Sequence, residues 1–121
     1  MSAAASPLGR ALDLITRVRG VRGAMVVSRA DGLVVAEQLM EGIKGGAVAA
    51  LASSLSGRLQ RAMLSAGLGP SQFWHLQCDD GALLVVPAGP DAGLLLVAVT
   101  EADVNVGLVR LELLRAAETA G

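Results

Sequence analysis

Two hydrophobic periods alternate along the chain, and the switches between them mark its elements. Leu8, Ala11, Leu12, Ile15 and Val18 recur at helical spacing, opposite Arg10, Asp13 and Arg17. Ser6-Pro7 supplies an N-cap and a first-turn proline for this helix, and Gly20 ends it. Beyond Gly23 the period changes: 24–28 reads as a buried strand, Asp31-Gly32 as a tight turn, and 33–39 as the hairpin partner. A glycine-rich break over 42–46, read as a flexible link, leads into the longest helical stretch, 47–66, which Gly67 and Gly69-Pro70 stop. Strands over 72–78 and 82–86 follow, joined by Asp79-Asp80-Gly81, and a turn at Gly89-Pro90-Asp91 leads into a fifth strand over 94–99. The last helix spans 104–119, with Asp103 or Asn105 as its cap.

The order α-β-β-α-β-β-β-α, with short turns everywhere except across the central helix, implies an α/β (α+β) fold with a five-stranded, mainly antiparallel sheet. One helix is expected on one face and two on the other. The last helix carries two apolar patches, Val106, Val109, Leu113, Ala116 and Ala117, and then Val104, Leu108, Leu111 and Leu114. A helix apolar on two sides is expected to be sandwiched, with the first helix as lid on the second patch. On the central helix Val48, Leu51, Ala52, Leu55, Leu59, Ala62, Met63 and Ala66 fall within an arc of about 120°. Ser54, Arg58, Arg61 and Ser65 lie on one flank, and Ser53, Ser56 and Gln60 on the other. A helix resting on a sheet hides about 100° of arc, so part of this face is left over. Residues 1–6 read as a flexible N-terminal tail and 7–121 as a single domain.

Composition sharpens this picture. Of 121 residues, 53% are apolar and 17% charged, where about a quarter charged is ordinary. Mean hydropathy is +0.57. Disorder needs the opposite balance and is excluded. Ten basic and eleven acidic residues leave a net charge of −1, which argues against nucleic acid as a partner. So few charges to clothe the surface point instead to a large apolar interface. The weakly charged stretch 82–99 is broken at its middle by Pro87, Gly89, Pro90 and Gly93, so it reads as two strands rather than a membrane span. No membrane insertion is expected, no basic-then-apolar leader opens the chain, and the cytoplasm is the expected location.

Catalytic chemistry finds little purchase. His75 is the single histidine, and strand alternation sets Phe73, His75 and Gln77 on one face with Trp74, Leu76 and Cys78 on the other. A Cys78–His75 pair therefore points apart, and His75 is expected to face solvent. Cys78 reads as a small buried hydrophobe, and one cysteine excludes an intrachain disulfide. Asp79 and Asp80 read as turn residues. Lys44 is followed by Gly45-Gly46-Ala47 rather than by Ser or Thr, so the surrounding glycines make no phosphate loop. Trp74 is more readily core than binding anchor. No enzymatic activity, catalytic residue, cofactor or metal site is expected.

The element order and several local sequences resemble the Roadblock/light-chain-7 family, relatives of the longin and profilin-like folds. The residues that carry this are Gly20-Val21-Arg22-Gly23-Ala24, Val26-Val27-Ser28-Arg29-Ala30-Asp31-Gly32-Leu33-Val34-Val35-Ala36, the Ala-rich central helix, and Asp103-Val104-Asn105-Val106-Gly107-Leu108-Val109-Arg110. The resemblance implies a cytoplasmic regulatory adaptor that forms homodimers through its central helices and sheet edges and binds a Ras-like small GTPase. Bacterial MglB-like members can stimulate the partner's GTP hydrolysis by repositioning its own residues. The alternative is a homo- or heterodimeric scaffold or sensor subunit with no GTPase partner. The dimer interface is expected from Val48, Leu51, Ala52, Leu55, Leu59, Ala62 and Met63, with Val35 and Glu37 of the second strand. Arg58 and Arg61 are the candidates for meeting an acidic partner.

Overall fold

A computed structural model describes residues 6–120. The expected tail therefore lies outside the described residues except for Ser6, whose Oγ accepts a hydrogen bond from the Gly9 N–H at 3.0 Å and caps α1 (Pro7–Thr16). The helix stops short of Gly20, with Arg17 as C-cap. Then come β1 (Val21–Ser28), β2 (Val34–Leu39), α2 (Gly45–Ser65), β3 (Trp74–Cys78), β4 (Gly81–Ala88), a 3-10 turn (Pro90–Ala92), β5 (Leu94–Thr100) and α3 (Val106–Ala120). The expected order holds, and boundaries move by a few residues. Asn105 rather than Asp103 caps α3, its Oδ1 accepting from the Leu108 N–H.

The five strands lie in the order β2-β1-β5-β4-β3, and every pairing is antiparallel. The first and last strands, β1 and β5, sit side by side at the centre, while α2 carries the chain from one edge strand to the other. Pleat alternation divides the core in two. Ala24 and Val26 of β1, Leu84 and Val86 of β4, and Leu96 and Ala98 of β5 face α1 and α3, where Leu12, Ile15, Val109 and Leu113 meet them. Met25, Val27, Leu83, Val85, Leu95 and Val97 face α2, meeting Ala49 and Ala52. Strands buried on both faces have no polar side to show, which explains the unbroken apolar runs in β4 and β5.

Three expectations need correction. α1 lies beside α3 in one layer rather than over it, because both helices have apolar faces to bury on the same sheet. The second patch of α3 is therefore split. Val104 and Leu114 pack against the core, while Leu108 and Leu111 stand 43% and 44% exposed. The glycine-rich link is in part helix, since Gly45 and Gly46 open α2. A Cβ on Gly45 would lie 2.6 Å from Glu37 Oε2 and 2.8 Å from Leu39 Cδ1, so glycine lets the helix start against β2. Finally, Cys78 is exposed rather than buried, because β3 is an edge strand that α2 does not cover.

Candidate interaction surface

The seat of α2 is set by small residues. Gly45, Ala49, Ala52 and Ser56 recur at spacings of four, three and four, which stacks them on one face of a helix. Ala49, Ala52 and Ser56 are the buried residues of α2, and short side chains there bring the helix backbone close to β1 and β5. Ser56 Oγ accepts a hydrogen bond from Trp74 Nε1 at 3.0 Å, tying α2 to the start of β3. This role for Ser56 was not apparent from its neighbours on a polar flank. The small-residue spacing was the signal for it.

With that seam turned to the sheet, the larger apolar residues of α2 turn partly outward. Leu51 is 46% exposed, Ala62 is exposed, and Val48, Leu55, Leu59 and Met63 are half-buried. These six form a strip along the helix. Val48 and Leu51 share a groove of about 290 Å³ with Leu76 and Cys78 of β3 and with Leu83. Leu59 and Met63 border a second groove with Leu68, Phe73 and Trp74. The strip thus looks toward β3, whose outer edge pairs with no strand.

Two parts of the expected interface fall elsewhere. Ala52 has no exposed surface, because it lies on the chain's own sheet, so it cannot touch a second copy. Val35 and Glu37 belong to β2, at the opposite edge of the sheet from β3. Val35 is the extra residue of a bulge, since Val26 pairs with Ala36 while Val27 pairs with Val34. Arg58 and Arg61 are both exposed, on the outward flank of α2.

The other flank of α2 is occupied by a residue to which sequence reasoning gave no structural role. Arg29, just past β1, donates to Gln60 Oε1 at 2.6 Å and to the Ala92 carbonyl at 3.3 Å. Its own carbonyl accepts from Ser53 Oγ at 2.8 Å. The guanidinium therefore joins α2 to the 3-10 turn, where Asp91 and Ala92 both adopt positive φ. In the neighbouring turn the Leu33 N–H donates to Asp31 Oδ1 at 3.1 Å, and chiefly through that bond the carboxyl is held below its ordinary range. No local signal in the chain pointed to Arg29, because its partners are 31 and 63 residues away.

His75 is exposed on the face away from α2, its Nε2 2.9 Å from Gln77 Oε1. Gln77 in turn donates to the Ala102 carbonyl at 2.8 Å. Among the described residues no three His, Cys, Asp or Glu side chains gather to hold a metal, and no helix is long and apolar enough to cross a membrane.

A five-stranded antiparallel sheet with two helices on one face and a single helix on the other is the α/β frame of the chain. The chain belongs to the Roadblock/LC7 domain family, whose sequence model matches residues 8–98. It is 36% identical over 111 residues to an uncharacterized protein, MJ1340, of Methanocaldococcus jannaschii, covering 92% of this chain and 94% of that one. The gliding protein MglB of Thermus thermophilus superposes with a TM-score of 0.83 at 24% identity, over 99% of this chain and 90% of that chain. Acanthamoeba castellanii profilin II superposes with a TM-score of 0.57 at 14% identity, over 82% and 83% of the two chains. Both structural likenesses are of fold. The family is one of regulatory adaptors rather than a known enzyme family.

Proposed function

We propose that this protein is a cytoplasmic regulatory adaptor that works as a homodimer and binds a Ras-like small GTPase. The observation that carries the reading is the outward strip of α2 in a member of the Roadblock/LC7 family: Leu51, Leu55, Leu59 and Ala62 beside an open β3 edge, with Arg58 and Arg61 on the rim. Leucines held in water along one helix face cost free energy that burial against a second copy recovers. Leu76, 39% exposed, faces the same side as Leu51. In the dimer α2 packs on α2 and β3 meets β3, so β3 takes the place that sequence reasoning assigned to β2. The two copies then present four arginines, Arg58 and Arg61 twice, around one two-fold axis. These meet acidic groups of the GTPase.

The test is an affinity capture from the source cell with the immobilised protein, loaded once with GDP and once with a non-hydrolysable GTP analogue. A Ras-like GTPase is expected among the retained proteins, more strongly in one nucleotide state, and retention falls with Arg58→Glu/Arg61→Glu. Capture of no GTPase in either state overturns the GTPase reading.

A further inference from the structure

On the other side of the sheet, α1 and α3 leave an open groove of about 390 Å³ lined by Leu14, Val18 and Leu108 and rimmed by Arg17, Arg19 and Arg115. We propose that this groove binds an acidic amphipathic helix of a partner protein. The site is independent of the α2 surface, and it uses the part of α3 that α1 leaves uncovered.

Three properties of the groove define the occupant. Its floor is apolar and partly open: Leu108 is 43% exposed, and Leu14 beside it is half-buried. Its rim is basic. The one acid in the lining, Glu112, is held by Arg115 at 3.1 Å. Arg17 and Arg19 line the groove, both are exposed, and neither side chain has a hydrogen-bond or ion-pair partner among the described residues. A chain with a net charge of −1 thus places unneutralised positive charge beside exposed leucine. An acidic ligand with an apolar stripe complements both at once.

The third property is backbone. The walls are α3 and the end of α1 with the turn 17–19 that follows it, and neither is a strand edge, so an extended peptide finds no ladder to join here. A helix satisfies its own backbone and lays one stripe into the cleft, with Asp or Glu beside the stripe reaching Arg17 and Arg19. A concave cleft between α3 and the end of α1 also fits a rod better than it fits the flat surface of a bilayer.

A display library of helices about 18 residues long, with leucines fixed along one face and flanking positions randomised, tests this on the full chain. Selected flanks are expected to be rich in Asp and Glu. A selected peptide should bind with micromolar affinity, about tenfold more weakly to Arg17→Glu/Arg19→Glu and to Leu108→Ser. Light scattering on each variant should match the parent, which separates this site from the α2 surface. Flanks with neutral or basic bias, no enrichment over the double variant, or equal binding to both proteins overturns the proposal. So does a result in which phosphatidylglycerol vesicles, and no peptide, bind in an Arg17- and Arg19-dependent way.

Discussion

Ser56 and Trp74 form a contact small enough to be tested by one oxygen atom. The indole N–H of the only tryptophan meets the hydroxyl at 3.0 Å, and the hydroxyl is itself buried under α2. Ser56→Ala removes the acceptor and leaves the indole unpaired at a half-buried site, a loss of about 1 kcal/mol. A lower urea midpoint with an unchanged slope is the expected outcome, and Trp74 emission should shift to the red as water reaches the ring. An unchanged emission maximum would mean that the bond does not hold β3 to α2. Arg29 allows a sharper distinction. Its two terminal nitrogens reach different elements, Gln60 on α2 and Ala92 in the 3-10 turn, and a single ammonium cannot span both. Arg29→Lys should therefore cost roughly as much as Arg29→Ala, about 1 kcal/mol in either unfolding curve. Full rescue by lysine would reduce the contact to its charge.

At the scale of elements, two glycines with opposite surroundings test how closely the parts are packed. A Cβ on Gly81 would sit 2.7 Å from the Thr100 carbonyl oxygen, a backbone atom of β5 that cannot step aside without breaking register. Gly81→Ala is expected to destabilise by about 1–3 kcal/mol in chemical unfolding. A Cβ on Gly57, within α2, would meet only the end of the Arg61 side chain at 3.5 Å. There the helix gains from alanine, and Gly57→Ala should stabilise by up to about 1 kcal/mol. Element types and order were legible because they rest on local signals: a Ser6-Pro7 start, Asp-Gly turns, and runs of apolar residues too short for a span. The rotation of α2 was not. Periodicity finds an arc but treats Ala52 and Leu51 as equals, whereas a sheet accepts the small residue closely and leaves the large one at the side. The open patch on α3 escaped for a related reason. Whether α1 lies over α3 or beside it depends on which sheet face each helix seeks, and neither sequence states that alone. Of the candidate site, the α2 leucines were readable from spacing, but the strand beside them was not, since strand order is a non-local property.

For the whole molecule, the apolar surplus of the composition divides between two sheet faces that are covered unequally. α1 and α3 roof one face together, whereas α2 alone meets the other and leaves Leu51, Ala62 and Leu76 in contact with water. A homodimer through this side places the same residues of both copies near one axis. The consequence differs between the two sheet edges. Leu51→Glu brings two like charges into an apolar contact, where neither can be hydrated, and should yield a monomer of 12.2 kDa by light scattering at micromolar concentration. The same substitution at Val35, half-exposed on the bulged β2 edge, should leave a particle of about twice that mass, because β2 lies on the far side of the sheet from the α2 strip. Leu51 is already partly in water, so its replacement leaves each copy's own core intact, and a circular dichroism spectrum and unfolding curve for the monomer establish that the fold survives. A parent protein that is monomeric across this range refutes the homodimer. A dimer lost with Val35→Glu and kept with Leu51→Glu moves the interface to β2.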